Sequence, residues 1–229
     1  MFLAALNKST LLNASDTQMA VNAVASQIKL HVAPYWDMVP ASIVYYANEN
    51  LIPSGADNLV IFDDADQAGA YGYHQETPDG KPYARVFVRP ILNHGGTTLS
   101  GGLSVSSTIS HEVCEWLVDR FNNLWAYGPD GEYAVEICDP VENDSYEIDG
   151  VSVSNFVTKR YFDHLAPTGT QFDYLGKLTK PFTMTPGGYL VVRKSGVVQQ
   201  VFGDDYPAWR KDMKKFPAAR SYKRRMQHG

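Results

Sequence analysis

Residues 105–121 carry the pattern of a helix that is buried almost all the way round. At about 100° per residue, Val105, Ile109, Val113, Trp116, Leu117 and Phe121 share roughly half of the helix circumference, and Cys114 and Val118 widen that apolar arc. The remaining arc holds His111, Glu112, Glu115 and Asp119, with Asn122 at its edge. An exposed helix face normally mixes Lys and Arg with its acids, whereas Arg120 here falls on the apolar side. Three carboxylates beside one imidazole repel one another unless a cation or a buried proton sits among them. Such a helix must be enclosed, and the segments around it show by what.

Ser15 or Asp16 caps a first helix running to about Val32, and Pro34 ends it. Ser42-Ile43-Val44-Tyr45-Tyr46 and Asn58-Leu59-Val60-Ile61-Phe62 are rich in β-branched and aromatic residues and read as strands. Tyr71–Gln75 and Tyr83–Val88 flank Pro78-Asp79-Gly80, the chemistry of a hairpin. A glycine-rich loop, Gly95-Gly96 to Gly101-Gly102, leads into the buried helix. Short strands and turns follow, closing with a hairpin of Tyr189–Arg193 against Val197–Val201 turned at Ser195-Gly196. The expected class is α+β: a twisted mixed sheet packed against a central helix, with an irregular β-rich C-terminal part. Residues 1–208 form a single domain with halves at 1–125 and 126–208, and 209–229 form a basic tail.

That tail carries a charge of +7, so the first 208 residues hold −12. An acidic body excludes nucleic acid as the main ligand, while the basic end suits an acidic partner or a solvated tail. No run of residues is apolar for long enough to span a bilayer. Met1–Leu6 is apolar but lacks a basic start and is a poor signal peptide. The expected location is cytoplasmic or phage-associated. Two cysteines make no disulfide framework; Cys114 and Cys138 read as small buried apolar residues, with a single bridge or a thiolate ligand as the alternatives.

The polar stripe contains His111-Glu112-Val113-Cys114-Glu115, or H-E-x-x-E. Residues four apart on a helix share a face, so His111 and Glu115 can reach one metal ion while Glu112 holds a water beside it. A third ligand is needed, and Glu136-Ile137-Cys138-Asp139 is the best source. Either acid there can serve, and His74 and His164 are lesser candidates. The plain alternative is a stripe that faces water or forms a hydrogen-bonded polar core.

On these residues the chain resembles the zincin-like metallopeptidases, through H-E-x-x-[HE] followed by E-x-x-D with a strand-and-hairpin block before the helix. It also resembles an uncharacterised bacterial and phage family. There Gly72-Tyr73-His74, Ser110-His111-Glu112 with Glu115 and Asp119, Glu136 to Glu142, and Val153-Ser154-Asn155-Phe156-Val157 recur in that order. Exordium-like proteins are more distantly similar, through S-H-E-x-x-E and E-x-x-D.

The gluzincin form of the zincin resemblance implies Zn²⁺ held by His111, Glu115 and Glu136. Asp139 then stands behind His111, and Asp119 supports from the same stripe. It implies a polypeptide substrate cleaved with Glu112 as general base. In an enzyme of this kind Tyr146 or Tyr161 would donate to the oxyanion, and the strand bearing Tyr83, Arg85 and Phe87 would align an extended substrate by edge pairing. Glu115 replaces the second His of the zincin motif, leaving a nearly neutral site, a weaker Lewis acid, and room for Mn²⁺ or Ca²⁺. A non-catalytic, metal-stabilised module of a phage particle or secreted assembly is the alternative.

Overall fold

The computed structural model describes residues 1–67 and 69–205. Its main sheet is built around a strand that the sequence pattern conceals. β1 (Phe2–Asn7) has Leu3, Ala4 and Ala5 without accessible surface. It is paired with a parallel neighbour along each edge, and its four consecutive buried residues show that both of its faces are covered as well, so its residues do not alternate. The apolar start weighed above as a signal peptide is therefore a core strand. α1 (Ala14–Gln27) follows, capped by Asn13 rather than Ser15 or Asp16. It runs through a π-helical turn at Ile28–Val32 into α2 (Ala33–Tyr35), with Pro34 inside that last turn.

β2 (Ser42–Tyr46), β3 (Asp57–Phe62), β4 (Gly72–Glu76) and β5 (Pro82–Phe87) complete a five-stranded sheet in the order β2-β1-β3-β5-β4. All pairings are parallel except β4 with β5, the expected hairpin. Leu3, Ala5, Leu59, Ile61, Ala84 and Val86 point to one face and share a core with α1 and the buried helix. α3 (Val88–Asn93) and the glycine-rich loop carry the chain to that helix, α4 (Val105–Val118). Ser104 and Ser107 close a reciprocal capping box at its start, which satisfies two of the orphan N–H groups of the first turn.

Asp57, at the start of β3, accepts from Trp116 Nε1 at 2.9 Å and from Arg120 at 2.6 and 2.8 Å, tying the far end of α4 to the sheet. α4 ends at Val118, a turn earlier than its apolar pattern. Asn122 takes a positive φ of 53° and Phe121 turns outward, 39% exposed. The other flank of α4 packs on the hairpin β8 (Ser145–Ile148) and β9 (Val151–Ser154), a contact centred on buried Gln27. Gln27 accepts from Ser110 Oγ at 2.6 Å and donates to the Ser154 carbonyl at 2.8 Å, so α1, α4 and β9 meet at one amide. β6 (Trp125–Gly128), β7 (Gly131–Ala134), β10 (Tyr189–Lys194) and β11 (Val197–Phe202) form a separate antiparallel sheet in the order β11-β10-β7-β6. Its last hairpin is the one expected at Ser195-Gly196.

The α+β class is as expected, with several sheets and few helices. No helix among the described residues is long and apolar enough to cross a membrane. The basic run 209–229 lies outside the described residues.

Asp63, just beyond β3, binds the loop after β1 through the hydroxyls of Ser9 and Thr10 and the N–H groups of Thr10 and Leu11. The hydroxyl bonds lower its pKa to about 2. A carboxyl depressed in the folded state contributes stability above its unfolded pKa and loses it as pH falls through the folded value. Asp63→Asn should therefore flatten the decline in stability between about pH 4 and pH 2, read from denaturant midpoints across that range. An unchanged slope would show that this clamp contributes nothing in acid.

Candidate metal centre

α4 turns its polar stripe toward β4 and toward the turn that follows β7. In that turn Val135 and Ile137 point into the core, so the residue between them, Glu136, is directed the other way. A 3₁₀ turn at Asp139–Val141 then reverses the chain and delivers Cys138 and Asp139 to α4. His111 Nε2 lies 3.2 Å from Glu115 Oε1 and 3.2 Å from Asp139 Oδ1. Glu115 Oε1 also accepts the Cys138 N–H at 3.4 Å. His111, Glu115 and Cys138 have their ligand atoms within 4.8 Å of one another. The set is deeply buried, with Glu115 at 0%, Asp139 at 2% and His111 at 8% exposure.

Burial acts to lower the pKa of His111. The carboxylates of Glu115, Asp139 and Glu112 outweigh it and raise the value well above that of a free imidazole. The negative potential that holds a proton there favours a divalent cation in its place. Two atoms bonded to one ion at about 2.1 Å lie about 3.0–3.4 Å apart for bond angles near 90–110°. The distances from His111 Nε2 to Glu115 and to Asp139 each fall in that interval, and Cys138 completes a group of three donors close enough to share one ion. Cys114 and Cys138 are both free and buried. Burial, then Cys114 and Glu115, push the Cys138 thiol well up, so it stands protonated and would yield its proton only to a metal.

A second group lies on the β4 side of the same helix. His74 is fully buried, with Nδ1 at 3.7 Å from Glu112 Oε2 and 3.6 Å from Glu115 Oε2. Its Nε2 is 3.2 Å from the Asp119 carbonyl. A carbonyl only accepts, so this nitrogen carries the proton and Nδ1 faces the two carboxylates. Glu112 packs directly on β4: a Cβ at Gly72 would meet its Cγ and Oε1 at 2.9 Å.

His111, Glu112 and Glu115 are thus brought together as the motif spacing predicts. Several other expectations require correction. Glu136 is not gathered with His111 and Glu115; it lines a shallow cleft with Asp139, Tyr133 and Tyr161. Asp139 Oδ1 approaches the same nitrogen as Glu115 rather than standing behind the ring, but the donor atom gathered within 4.8 Å of both His111 and Glu115 is that of Cys138. The Asp119 carboxylate accepts from the Asn123 and Leu124 N–H groups and closes the end of α4, while its backbone carbonyl meets His74 Nε2.

Tyr146 has its hydroxyl on Gln27 Nε2 at 3.1 Å and His31 Nδ1 at 2.9 Å. Tyr161 donates its one hydroxyl proton to the Thr183 carbonyl at 2.7 Å. β5 has β3 on one side and β4 on the other, so it cannot pair with a substrate. Tyr83, Arg85 and Phe87 alternate with Ala84 and Val86, which point to α4, and so lie on the opposite sheet face. Arg85 and Tyr73 meet Asp66 there. The edges of this sheet are β2 and β4, and β4 is the one that packs on α4. His74 was legible as a titratable residue one strand before the helix, but only the β4–β5 register directs it at α4.

No family model, curated protein or solved structure matches this chain. The site is therefore read from its own geometry. Gly72→Ala tests that geometry, because the new methyl must displace Glu112 or the Arg85 carbonyl 3.0 Å away. We expect a loss of about 1–3 kcal/mol in unfolding free energy. An unaltered denaturant midpoint would show that Glu112 does not rest on β4.

Proposed function

We propose that the chain is a zincin-like, metal-dependent peptide hydrolase with Glu112 as general base. The observation carrying this reading is the convergence of Glu115 and Asp139 on His111 Nε2, each at 3.2 Å, with Glu112 adjacent on the side of β4. A mixed sheet and a hairpin preceding the motif helix, as the zincin resemblance implies, support it.

His111 and Glu115 would hold the ion with Asp139, which must shift toward Glu115 to share it, while the Cys138 thiol already stands within reach. One imidazole and two carboxylates suit Zn²⁺ and also admit Mn²⁺, while Ca²⁺ is the poorest match to an imidazole. A divalent ion there supplies Lewis acidity to a carbonyl and lowers the pKa of a water. Glu112 takes the proton of the attacking water and returns it to the leaving amine. The β4 backbone groups that point away from β5 are those of Gly72, His74 and Glu76, since Tyr71 and Thr77 pair inward with Phe87 and Lys81. An extended polypeptide would pair along that edge and present its carbonyl to Glu112. Asn122 Nδ2 approaches the His74 carbonyl at 3.4 Å and would give way to the substrate there.

The burial of the donor set favours one second reading. If Cys138 joins the other three, the coordination is closed, as in structural zinc sites, and the ion stabilises a non-catalytic module. Cleavage of a labelled unstructured polypeptide, with and without chelator, separates the two. The hydrolase reading expects activity that chelation abolishes and zinc restores. It also expects a loss of about 10²–10⁴-fold in Glu112→Gln with the ion on His111 retained. Chelation that lowers the melting temperature of a protein with no turnover would instead establish the structural reading.

A further inference from the structure

We infer that His74, Glu112 and Glu115 form a second divalent-cation site, joined to the first through the Glu115 carboxylate. Glu115 Oε1 faces His111 and the Cys138 N–H, while Oε2 faces His74. The two oxygens of one buried carboxylate thus serve two donor groups on opposite sides. A carboxylate that bridges two ions has this disposition, with the ions about 3.5–4 Å apart.

The distances suit an ion shared by the three groups. A charge-assisted N–H···O bond closes to about 2.7–2.9 Å. His74 Nδ1 instead stands 3.7 and 3.6 Å from its two carboxylate oxygens. Atoms bonded to one ion at about 2.1 Å reach about 3.6–3.7 Å when the bond angle opens to about 120–125°. The three ligand atoms all lie within 4.8 Å of one another, and all three residues are buried. Orientation agrees, because Nε2 is engaged by the Asp119 carbonyl and Nδ1 is the nitrogen turned toward the two carboxylates. One imidazole and two carboxylates take Zn²⁺ or Mn²⁺.

The second site shares Glu112 with the chemistry proposed above. Where that hydrolase reading holds, filling the second site removes the general base, so excess zinc would inhibit the one-zinc protein. Binding itself does not depend on turnover.

Zinc bound per chain, by equilibrium dialysis against zinc chloride and elemental analysis of untagged full-length protein, tests the inference. We expect two zinc ions in the wild type, one in His74→Gln, and one in His111→Gln. Gln at position 74 keeps a donor for the Asp119 carbonyl and removes the Nδ1 ligand. Two ions retained in His74→Gln would overturn the inference. A single wild-type ion lost only in His111→Gln would overturn it and leave the proposed hydrolase intact. A single ion lost only in His74→Gln would support it and remove the first site. No bound zinc would overturn both. If His74→Gln does not fold, anomalous scattering at the zinc edge from wild-type crystals decides: a peak beside His74 Nδ1 is expected, and its absence is fatal.

Discussion

Glu115 is the residue on which the arrangement turns. A carboxylate with no accessible surface is costly to bury, and it is tolerated only where groups from separate segments close around it. Here those groups are His111 on its own helix, His74 on β4, and the Cys138 N–H on the turn after β7. These segments are fixed by independent means. The sheet register sets β4, the capping box and the Asp57 contacts set the two ends of α4, and the 3₁₀ turn sets Cys138. Loss of any one removes part of that compensation, so the site and the fold are coupled through a single side chain.

The same economy governs the other flank of α4. Gln27, Ser110 and the Ser154 backbone satisfy one another in a region without solvent. A buried amide with its partners in place specifies one packing of α1 against α4 and β9, since any slip orphans a polar group. The apolar arc of α4 supplies the burial, and the polar contacts at its two ends and its middle supply the register. His111, at the least buried point of the stripe, is the natural approach for a ligand or ion.

Much of this was legible in residue order. The hairpins at Pro78-Asp79-Gly80 and Ser195-Gly196, the strands at β2 and β3, and the burial of α4 follow from turn chemistry and periodicity. β1 was not legible, because a strand covered on both faces loses its alternation and becomes a short apolar run. The end of α4 was misjudged by a turn, because Asp119 binds the following N–H groups and stops the helix although Phe121 continues its apolar spacing. At the site, E-x-x-D spacing does not say which acid turns inward. The alternation of Val135 and Ile137 decides that against Glu136, and the turn at Asp139 decides it for Asp139.

By itself the sequence determined that one helix would be enclosed, and that His111, Glu112 and Glu115 would share its single polar stripe, because both follow from a repeat of 3.6 residues acting within one segment. Only the tertiary structure decided what meets that stripe. Asp139 and His74 come from 28 residues after His111 and 37 before it, and no local period relates them to α4. Strand pairing and a chain reversal bring them there, as does the core packing that leaves Glu136 facing elsewhere. The physical reason is range: helix periodicity is written in neighbouring residues, whereas the company a buried carboxylate keeps is set by how whole elements pack.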